Sequence, residues 1–291
     1  FGRDFDGKTK DEVVDDIHSY QNEADIPLLI GVDEEGGTVV RVSSNPNLRE
    51  TAFLSPKDTY ADGGWDAVKR DAEEKADLLL SLGINVNLAP VCDMTSDEYG
   101  FMYDRSFSVD VDMENRYVRT VVETSKSKKL GTVLKHFPGY GNNSDTHTGI
   151  AYDDRDYSEF ENTDFKPFYQ GIESGADCIL VSHNIVNCMD SEYPASLSQK
   201  VHDILRNEFK FDGVIMTDDL IMDAITDFTG DEAAAVTAAK CGNDLLCCSS
   251  VDTQYPAVLE AVQNGEISEA QVDASVKRIL KWKQHLGIFN I

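Results

Sequence analysis

Two clusters of ionisable residues have the types and spacing to do chemistry. In the stretch from Gly131 to Gly149, GTVLKHFPGYGNNSDTHTG, the apolar run Thr132-Val133-Leu134 ends in the cations Lys135 and His136, and a turn-rich loop follows. Phe137-Pro138-Gly139 forces a turn, Gly141 to Ser144 favours irregular backbone, and Asp145 then stands two residues from His147. A carboxylate so placed can orient an imidazole and stabilise its charged form, and an intrinsic pKa of about 6.5 suits His147 to giving and taking a proton around neutrality. The second cluster closes Phe211 to Leu220, FDGVIMTDDL, where Val214-Ile215-Met216 runs into the adjacent carboxylates Asp218 and Asp219. Successive strand side chains point to opposite sides, so one of this pair faces the interior of a strand-end site and the other does not. The doublet alone leaves open which.

Further polar groups fall at the ends of other apolar runs. Leu28 to Val32 delivers Asp33, Glu34 and Glu35, then Gly36-Gly37, with Arg41 on the next segment. Such carboxylates can hold hydroxyl groups through charge-assisted bonds, and Glu34 and Glu35 read equally well as solvated loop residues. Ala89-Pro90-Val91-Cys92 leads to Asp93, and the polar loop Asp104-Arg105-Ser106-Phe107 presents a guanidinium fork that lysine cannot copy. Cys178 to Val181 ends in Ser182-His183-Asn184, where a lone histidine reads most simply as a hydrogen-bonded neighbour of the site.

The elements that must position these groups alternate. Apolar runs at Leu28 to Val32, Ile84 to Leu88, Thr132 to Leu134, Cys178 to Val181, Val214 to Met216 and Leu245 to Cys247 predict strands, with helical patterns between them. Repeated βα alternation predicts a parallel α/β architecture with its chemistry at the C-terminal strand ends. Lys10 to Glu23 and Trp65 to Leu82 read as helices, the latter stopping at Gly83. A last helix is predicted from Ser268, with Gln271 completing a capping box, Val272, Val276, Ile279 and Leu286 facing the core, and Gly287 ending it. Phe1-Gly2-Arg3-Asp4 reads as the polar exit of a strand whose apolar body lies upstream.

Composition narrows the partners. The 291 residues carry a formal net charge of −27, which repels nucleic acid and anionic membranes. No apolar run is long enough for a membrane span. Cys92, Cys178, Cys188, Cys241, Cys247 and Cys248 show no CxxC spacing and sit mostly in apolar segments, which predicts buried thiols rather than a disulfide framework or zinc site. GYGNNS lacks the third glycine of a nucleotide-binding loop.

KHFPGYG followed by DTH, together with GVDEEGG (Gly31 to Gly37), DRSF (Asp104 to Phe107) and FDGVIMTDDL, resembles a family 3 glycoside hydrolase of the single-domain bacterial β-N-acetylhexosaminidase (β-N-acetylglucosaminidase) type. The resemblance covers essentially the whole chain in the family's order. It implies a (β/α)8 TIM-type barrel, one catalytic domain over 1–291, with two barrel strands preceding the position of Phe1. It further implies a retaining hydrolase that releases terminal β-linked N-acetylglucosamine through a covalent glycosyl-aspartate intermediate. Asp218 would be the nucleophile, His147 and Asp145 the general acid/base dyad, and Asp33, Arg41, Arg105, Lys135 and His136 the residues holding the sugar. Asp219 is left to support or helix capping.

No cofactor or metal is implied, and the partner is a small carbohydrate, with peptidoglycan fragments or chitin oligosaccharides as candidate sources. Thr38 and Tyr140 depart from the pattern, standing where bacterial members usually have arginine and histidine. The alternatives are a β-glucosidase or β-xylosidase of the same family, a non-catalytic carbohydrate-binding barrel, and a phosphate- or metal-dependent barrel lyase working through Lys135. Intact Asp218, Asp145 and His147 favour turnover. Unpaired cysteines favour the cytoplasm, and a leader removed upstream would instead make this an exported or cell-envelope protein.

Overall fold

The computed structural model describes residues 1–143, 146, 149–229 and 231–290, with Asp227, Asp231 and Glu232 described by their backbone alone. The strands are β1 (Gly31–Val32), β2 (Val86–Asn87), β3 (Gly131–Phe137), β4 (Tyr152–Asp153), β5 (Cys178–Val181), β6 (Ile185–Val186) and β7 (Val214–Thr217). The principal helices are α1 (Lys10–Asn22), α2 (Pro56–Ser81), α3 (Val111–Ser127), α4 (Tyr157–Asn162), α5 (Phe165–Glu173), α6 (Gln199–Asp203), α7 (Asp223–Thr229), α8 (Asp231–Lys240), α9 (Val251–Gln263) and α10 (Glu269–His285). Gly2–Asp4 form a 3₁₀ turn.

A five-stranded parallel sheet runs in the order β1-β2-β3-β5-β7, and a parallel bridge from Met216 to Leu245 extends it by one position. Five of the six expected strands are therefore present, and Leu245 to Cys247 is a bridge rather than a strand. Among the described residues no strand joins Leu245 to β1, so the sheet is a parallel half-barrel rather than a closed ring. β4 and β6, each too short to leave a periodic signature in sequence, pair in a separate two-stranded sheet.

Alternation along the strands sorts side chains into two layers. Val86, Val133, Cys178, Leu180, Val214 and Met216 form an inner cluster with Trp282 of α10 and Leu286 just after it, and Leu29, Leu88, Leu245 and Cys247 pack against it. Leu134, Phe137, Ile179, Val181 and Ile215 face outward instead, onto Phe160, Phe165 and Phe168 from α4 and α5. A Cβ on Gly131 would meet Trp282 at 3.1 Å, which places that indole against the N-terminal end of β3. Gly171 of α5 packs as closely, since a Cβ there would meet the Leu134 side chain at 2.5 Å and force it to shift.

The helices follow their sequence signals with two exceptions. Thr9 caps α1 through a box with Glu12. Ser55 caps α2, whose Gly63 and Gly64 leave helical geometry, so the helix expected from Trp65 is the portion after this break. Ser268 caps α10, but the Gln271 amide turns to the Ala239 carbonyl at 2.6 Å and the expected capping box is not closed. Val272 and Val276, expected to face the core, are 37% and 44% exposed, because the described elements leave that side of α10 uncovered. Cys92, Cys178 and Cys241 are buried, while Cys188 is exposed and Cys247 and Cys248 are half-buried. No described helix is long and apolar enough to cross a membrane.

These positions make opposite predictions. Trp282→Ala should lower the unfolding free energy by about 3–5 kcal/mol, the usual cost of emptying a large aromatic site. Val276→Ala should stay within about 0.5 kcal/mol. Equal losses in urea titrations would contradict the assignment of layers.

Candidate active site

The site gathers at the C-terminal ends of the parallel strands. Val214 and Met216 belong to the inner layer and Ile215 to the outer, so continuing the alternation carries Asp218 to the inner side and Asp219 away from it. Hydrogen bonds agree. Asp219 accepts from the N–H groups of Ile221 (3.2 Å) and Ser249 (3.1 Å) and from the Ser249 hydroxyl, binding the turn after β7 to the segment beyond Leu245. Asp218 accepts from Asp219 N–H at 2.9 Å and remains half-buried at the mouth. Burial alone would raise its pKa, but the His183 and His136 imidazoles, the Asp219 N–H and the Lys135 ammonium hold the carboxyl below the usual range. It is an ionised, partly accessible carboxylate.

β3 supplies two neighbouring polar side chains, Lys135 and His136. Its register with β5 shifts between Leu134 and Phe137, so that Lys135 and His136 together stand opposite the single residue Leu180, and such an irregularity lets consecutive side chains reach the same mouth. The Lys135–His136 and Phe137–Pro138 peptides are cis. Lys135 Nζ lies 2.6 Å from Asp33 Oδ1 and 2.6 Å from Glu35 Oε1. Arg105 grips the same Glu35 with a fork, Nε to Oε2 at 2.9 Å and Nη2 to Oε1 at 2.8 Å. Glu35 is thus a buried hub between two cations. Burial acts to raise its pKa, yet Lys135 and Arg105 outweigh that and hold it far below the usual carboxylate range. Burial likewise opposes charge on Lys135, but Asp33 and Glu35 raise its pKa overall, so it is a poor amine nucleophile and the lyase reading loses its lysine.

Arg105 Nη2 also lies 3.1 Å from His136 Nε2. A guanidinium can only donate, so Nε2 accepts and the proton sits on Nδ1, which faces Asp93 Oδ2 at 2.7 Å. Asp93 takes main-chain bonds as well, from His136 N–H at 2.9 Å and Tyr140 N–H at 2.7 Å. Burial raises its pKa, but His136 and these donors leave it lowered. The network therefore runs continuously from Asp33 through Lys135, Glu35, Arg105 and His136 to Asp93.

The remaining candidates divide. Glu34 is fully buried and accepts from the N–H groups of Arg41 (2.8 Å), Val42 (2.7 Å) and Ser43 (3.2 Å) and from the Ser43 hydroxyl, so it shapes the chain after Gly37. Arg41 bonds its guanidinium to the Val40 carbonyl at 3.4 Å and, among the described residues, forms no ion pair with the cluster. His183 is buried, with Nδ1 2.7 Å from the Ser196 hydroxyl and Nε2 3.0 Å from the Asp219 carbonyl, so it supports the β7 turn. Asp145 and His147 lie outside the described residues.

The root of their loop is described, and it explains the glycines of PGYG. Gly139 has φ +122° and a Cβ there would meet Asp164 at 2.4 Å, while at Gly141, φ +54°, it would meet Arg155 at 2.7 Å. Arg155 bonds Asp153, Asp164 and the Gly139 carbonyl, joining the loop to β4 and the start of α5. Sequence reading missed Glu35 as a hub, Arg155, and Cys247. The last continues the inner layer from Leu245 and was detectable by the same alternation that separates Asp218 from Asp219.

A mouth of alternating carboxylates and cations, with Asp33 and Asp218 the accessible anions, is suited to a ligand with many hydroxyl groups. Among the described residues no His, Cys, Asp and Glu group is arranged to hold a metal ion. The hub makes a prediction. Glu35→Gln leaves two buried cations short of an anion and should cost about 3–5 kcal/mol of stability. Because the Glu35 pKa is lowered on folding, its contribution is present above the ordinary value of 4.5 and is lost as pH falls toward the folded value. Denaturant titrations of wild type and variant should differ fully at pH 7 and converge in acid. A pH-independent difference would show that the Glu35 charge is not what matters.

Comparison with known proteins gives the family. Residues 1–282 match the family described as glycosyl hydrolase family 3 N terminal domain. A β-hexosaminidase of Hydrogenovibrio crunogenus is 32% identical over 252 residues, covering 84% of this chain and 70% of the relative. A β-hexosaminidase A of Pseudoalteromonas piscicida is 30% identical over 293 residues, covering 92% of this chain and 49% of the relative. The structure of a family 3 β-N-acetylglucosaminidase from a Paenibacillus species superposes with a TM-score of 0.90 at 30% identity, covering 97% of this chain and 55% of that one. The chain thus spans about half the length of the latter two. With the match running from the first residue to position 282, the chain belongs to glycosyl hydrolase family 3.

Proposed function

We propose that this protein is a retaining β-N-acetylhexosaminidase that releases terminal β-linked N-acetylglucosamine. The observation that carries the reading is the ionised, inner-facing Asp218 beside the Lys135 and Arg105 cluster, with its neighbour Asp219 engaged elsewhere. Relatives named β-hexosaminidase support the choice of sugar over a β-glucoside or β-xyloside. Peptidoglycan fragments and chitin oligosaccharides both present such termini.

In the first step an Asp218 oxygen attacks the anomeric carbon as the bond to the leaving oxygen breaks, and His147 gives its proton to that oxygen. In the second, His147 removes a proton from water, the water oxygen attacks the anomeric carbon, and the bond to Asp218 breaks. Asp145 orients the imidazole and stabilises its charged form. Asp33, Lys135, His136 and Arg105 hold the sugar hydroxyls, and Glu35 keeps the two cations charged and in place. Neither Glu34 nor Glu35 suits the acid role, since the first is saturated by donors and the second is held ionised. Geometry supports Arg41 least among the sugar-binding residues, because its guanidinium stands apart from the cluster.

We further infer that the half-barrel is part of an eight-stranded barrel within a single catalytic domain. Among the described residues the outer edges of β1 and of the Leu245 segment have no strand partner, which supports this, as does the exposed stripe Val251, Tyr255 and Leu259 on α9.

Nitrophenyl glycosides test the activity. The N-acetyl-β-glucosaminide should be cleaved and the β-glucoside and β-xyloside much less so. Asp218→Asn should lower kcat by roughly 10³-fold or more, while Asp219→Asn, which disturbs the Ile221 and Ser249 contacts of the β7 turn, should cost far less. A preference for the glucoside would select the alternative substrate, and equal losses in the two variants would remove Asp218 from the nucleophile role.

A further inference from the structure

The departure at Tyr140 finds a structural meaning in the loop that carries Asp145 and His147. Tyr140 is fixed at three points before its hydroxyl is considered. Its N–H donates to Asp93 Oδ1 at 2.7 Å, and its ring meets His136 edge-on at 5.3 Å and Phe101 at 5.1 Å. The hydroxyl then lies 2.6 Å from Thr146 Oγ1. Both partners are buried, Tyr140 at 2% exposure and Thr146 at 0%. Burial, with the Asp218 charge nearby, raises the phenol pKa, so the hydroxyl keeps its proton and remains a donor.

Thr146 is the residue between Asp145 and His147. The other described ties hold the loop at its root: Arg155 to the Gly139 carbonyl at 3.1 Å, and Thr95 Oγ1 to Asn142 at 2.7 Å. The Tyr140 to Thr146 bond instead reaches the segment that carries the proton-transfer groups, and it does so from the Asp93 and His136 network at the sugar site.

We propose that Tyr140 is a positioning residue whose hydroxyl latches Thr146, fixing the acid/base loop relative to the sugar-binding strand ends. This rests on the reading of His147 and Asp145 as the acid/base pair. The bond is buried and side chain to side chain, so deleting one hydroxyl removes the tether and leaves its buried partner without this bond, while the loop's root stays intact. The latch acts on proton transfer to the leaving group rather than on sugar binding, because Asp33, Lys135 and Arg105 do not depend on it.

The test uses Tyr140→Phe, Thr146→Val, Thr146→Ser, the Tyr140→Phe/Thr146→Val double variant and His147→Ala as the reference. kcat/KM is measured on N,N′-diacetylchitobiose, whose leaving group needs a proton, and on a dinitrophenyl N-acetyl-β-glucosaminide, whose leaving group does not. We expect Tyr140→Phe and Thr146→Val each to lower kcat/KM about tenfold on the disaccharide and less than twofold on the dinitrophenyl glycoside. Inhibition by N-acetylglucosamine should be unchanged, the double variant no worse than either single one, and Thr146→Ser close to wild type. If His147→Ala shows the leaving-group dependence and Tyr140→Phe and Thr146→Val do not, the latch is refuted and the dyad stands. If His147→Ala itself affects both substrates equally, the dyad reading fails and the latch falls with it.

Discussion

The mouth of this protein depends on one buried carboxylate. Glu35 sits between the Lys135 ammonium and the Arg105 guanidinium, and each would be costly to bury alone. Pairing lets both cations remain charged at low exposure and aims their outer faces at Asp33 and His136. The cluster is tied to the scaffold at several points, through Asp93 to Tyr140 and through the Lys75 ammonium, which donates to the Glu35 carbonyl at 2.8 Å. Because every member contacts the next, the groups at the mouth are set as a unit. That rigidity suits a site whose ligand is recognised through fixed hydroxyl positions.

Beside this cluster the fold creates two kinds of aspartate from one doublet. The inward alternation of β7 delivers Asp218 to the mouth, where neighbouring positive groups keep it ionised despite burial. The outward turn gives Asp219 to Ser249 and ties down the edge of the sheet. The geometry separates the two carboxylates: Asp219 is held by Ile221 and Ser249 with His183 on its carbonyl, while Asp218 stands half-buried at the mouth.

Much of this was legible in the sequence because the chemistry sits at strand ends, and strand ends are marked by apolar runs breaking into charge. Asp33, Lys135, His136 and the Asp218-Asp219 doublet stand out this way, whereas Arg105 was read from a polar loop and the choice of Asp218 over Asp219 from the family resemblance; Ser268 marked the start of the last helix. What could not be read is long-range pairing. Glu35 and Arg105 are 70 residues apart, and Lys135 and Asp33 are 102 apart, so local pattern treats Glu35 as one more loop carboxylate. The register shift in β3 was invisible for a related reason, since it is defined against β5 and not by the residues of β3 alone. Periodicity likewise identified the apolar face of α10 but could not say that Val272 and Val276 lack a described partner. The two-residue strands β4 and β6 carry too few positions to show any period.

The proposed mechanism requires that the inner aspartate of the doublet takes the sugar. The direct measurement is to trap the glycosyl-enzyme with a slow fluorinated N-acetylglucosaminyl donor, digest the labelled protein and sequence the modified peptide by mass spectrometry. The account predicts one adduct per chain on the Asp218 side chain. A label on Asp219, on another residue, or on none under turnover conditions would contradict it.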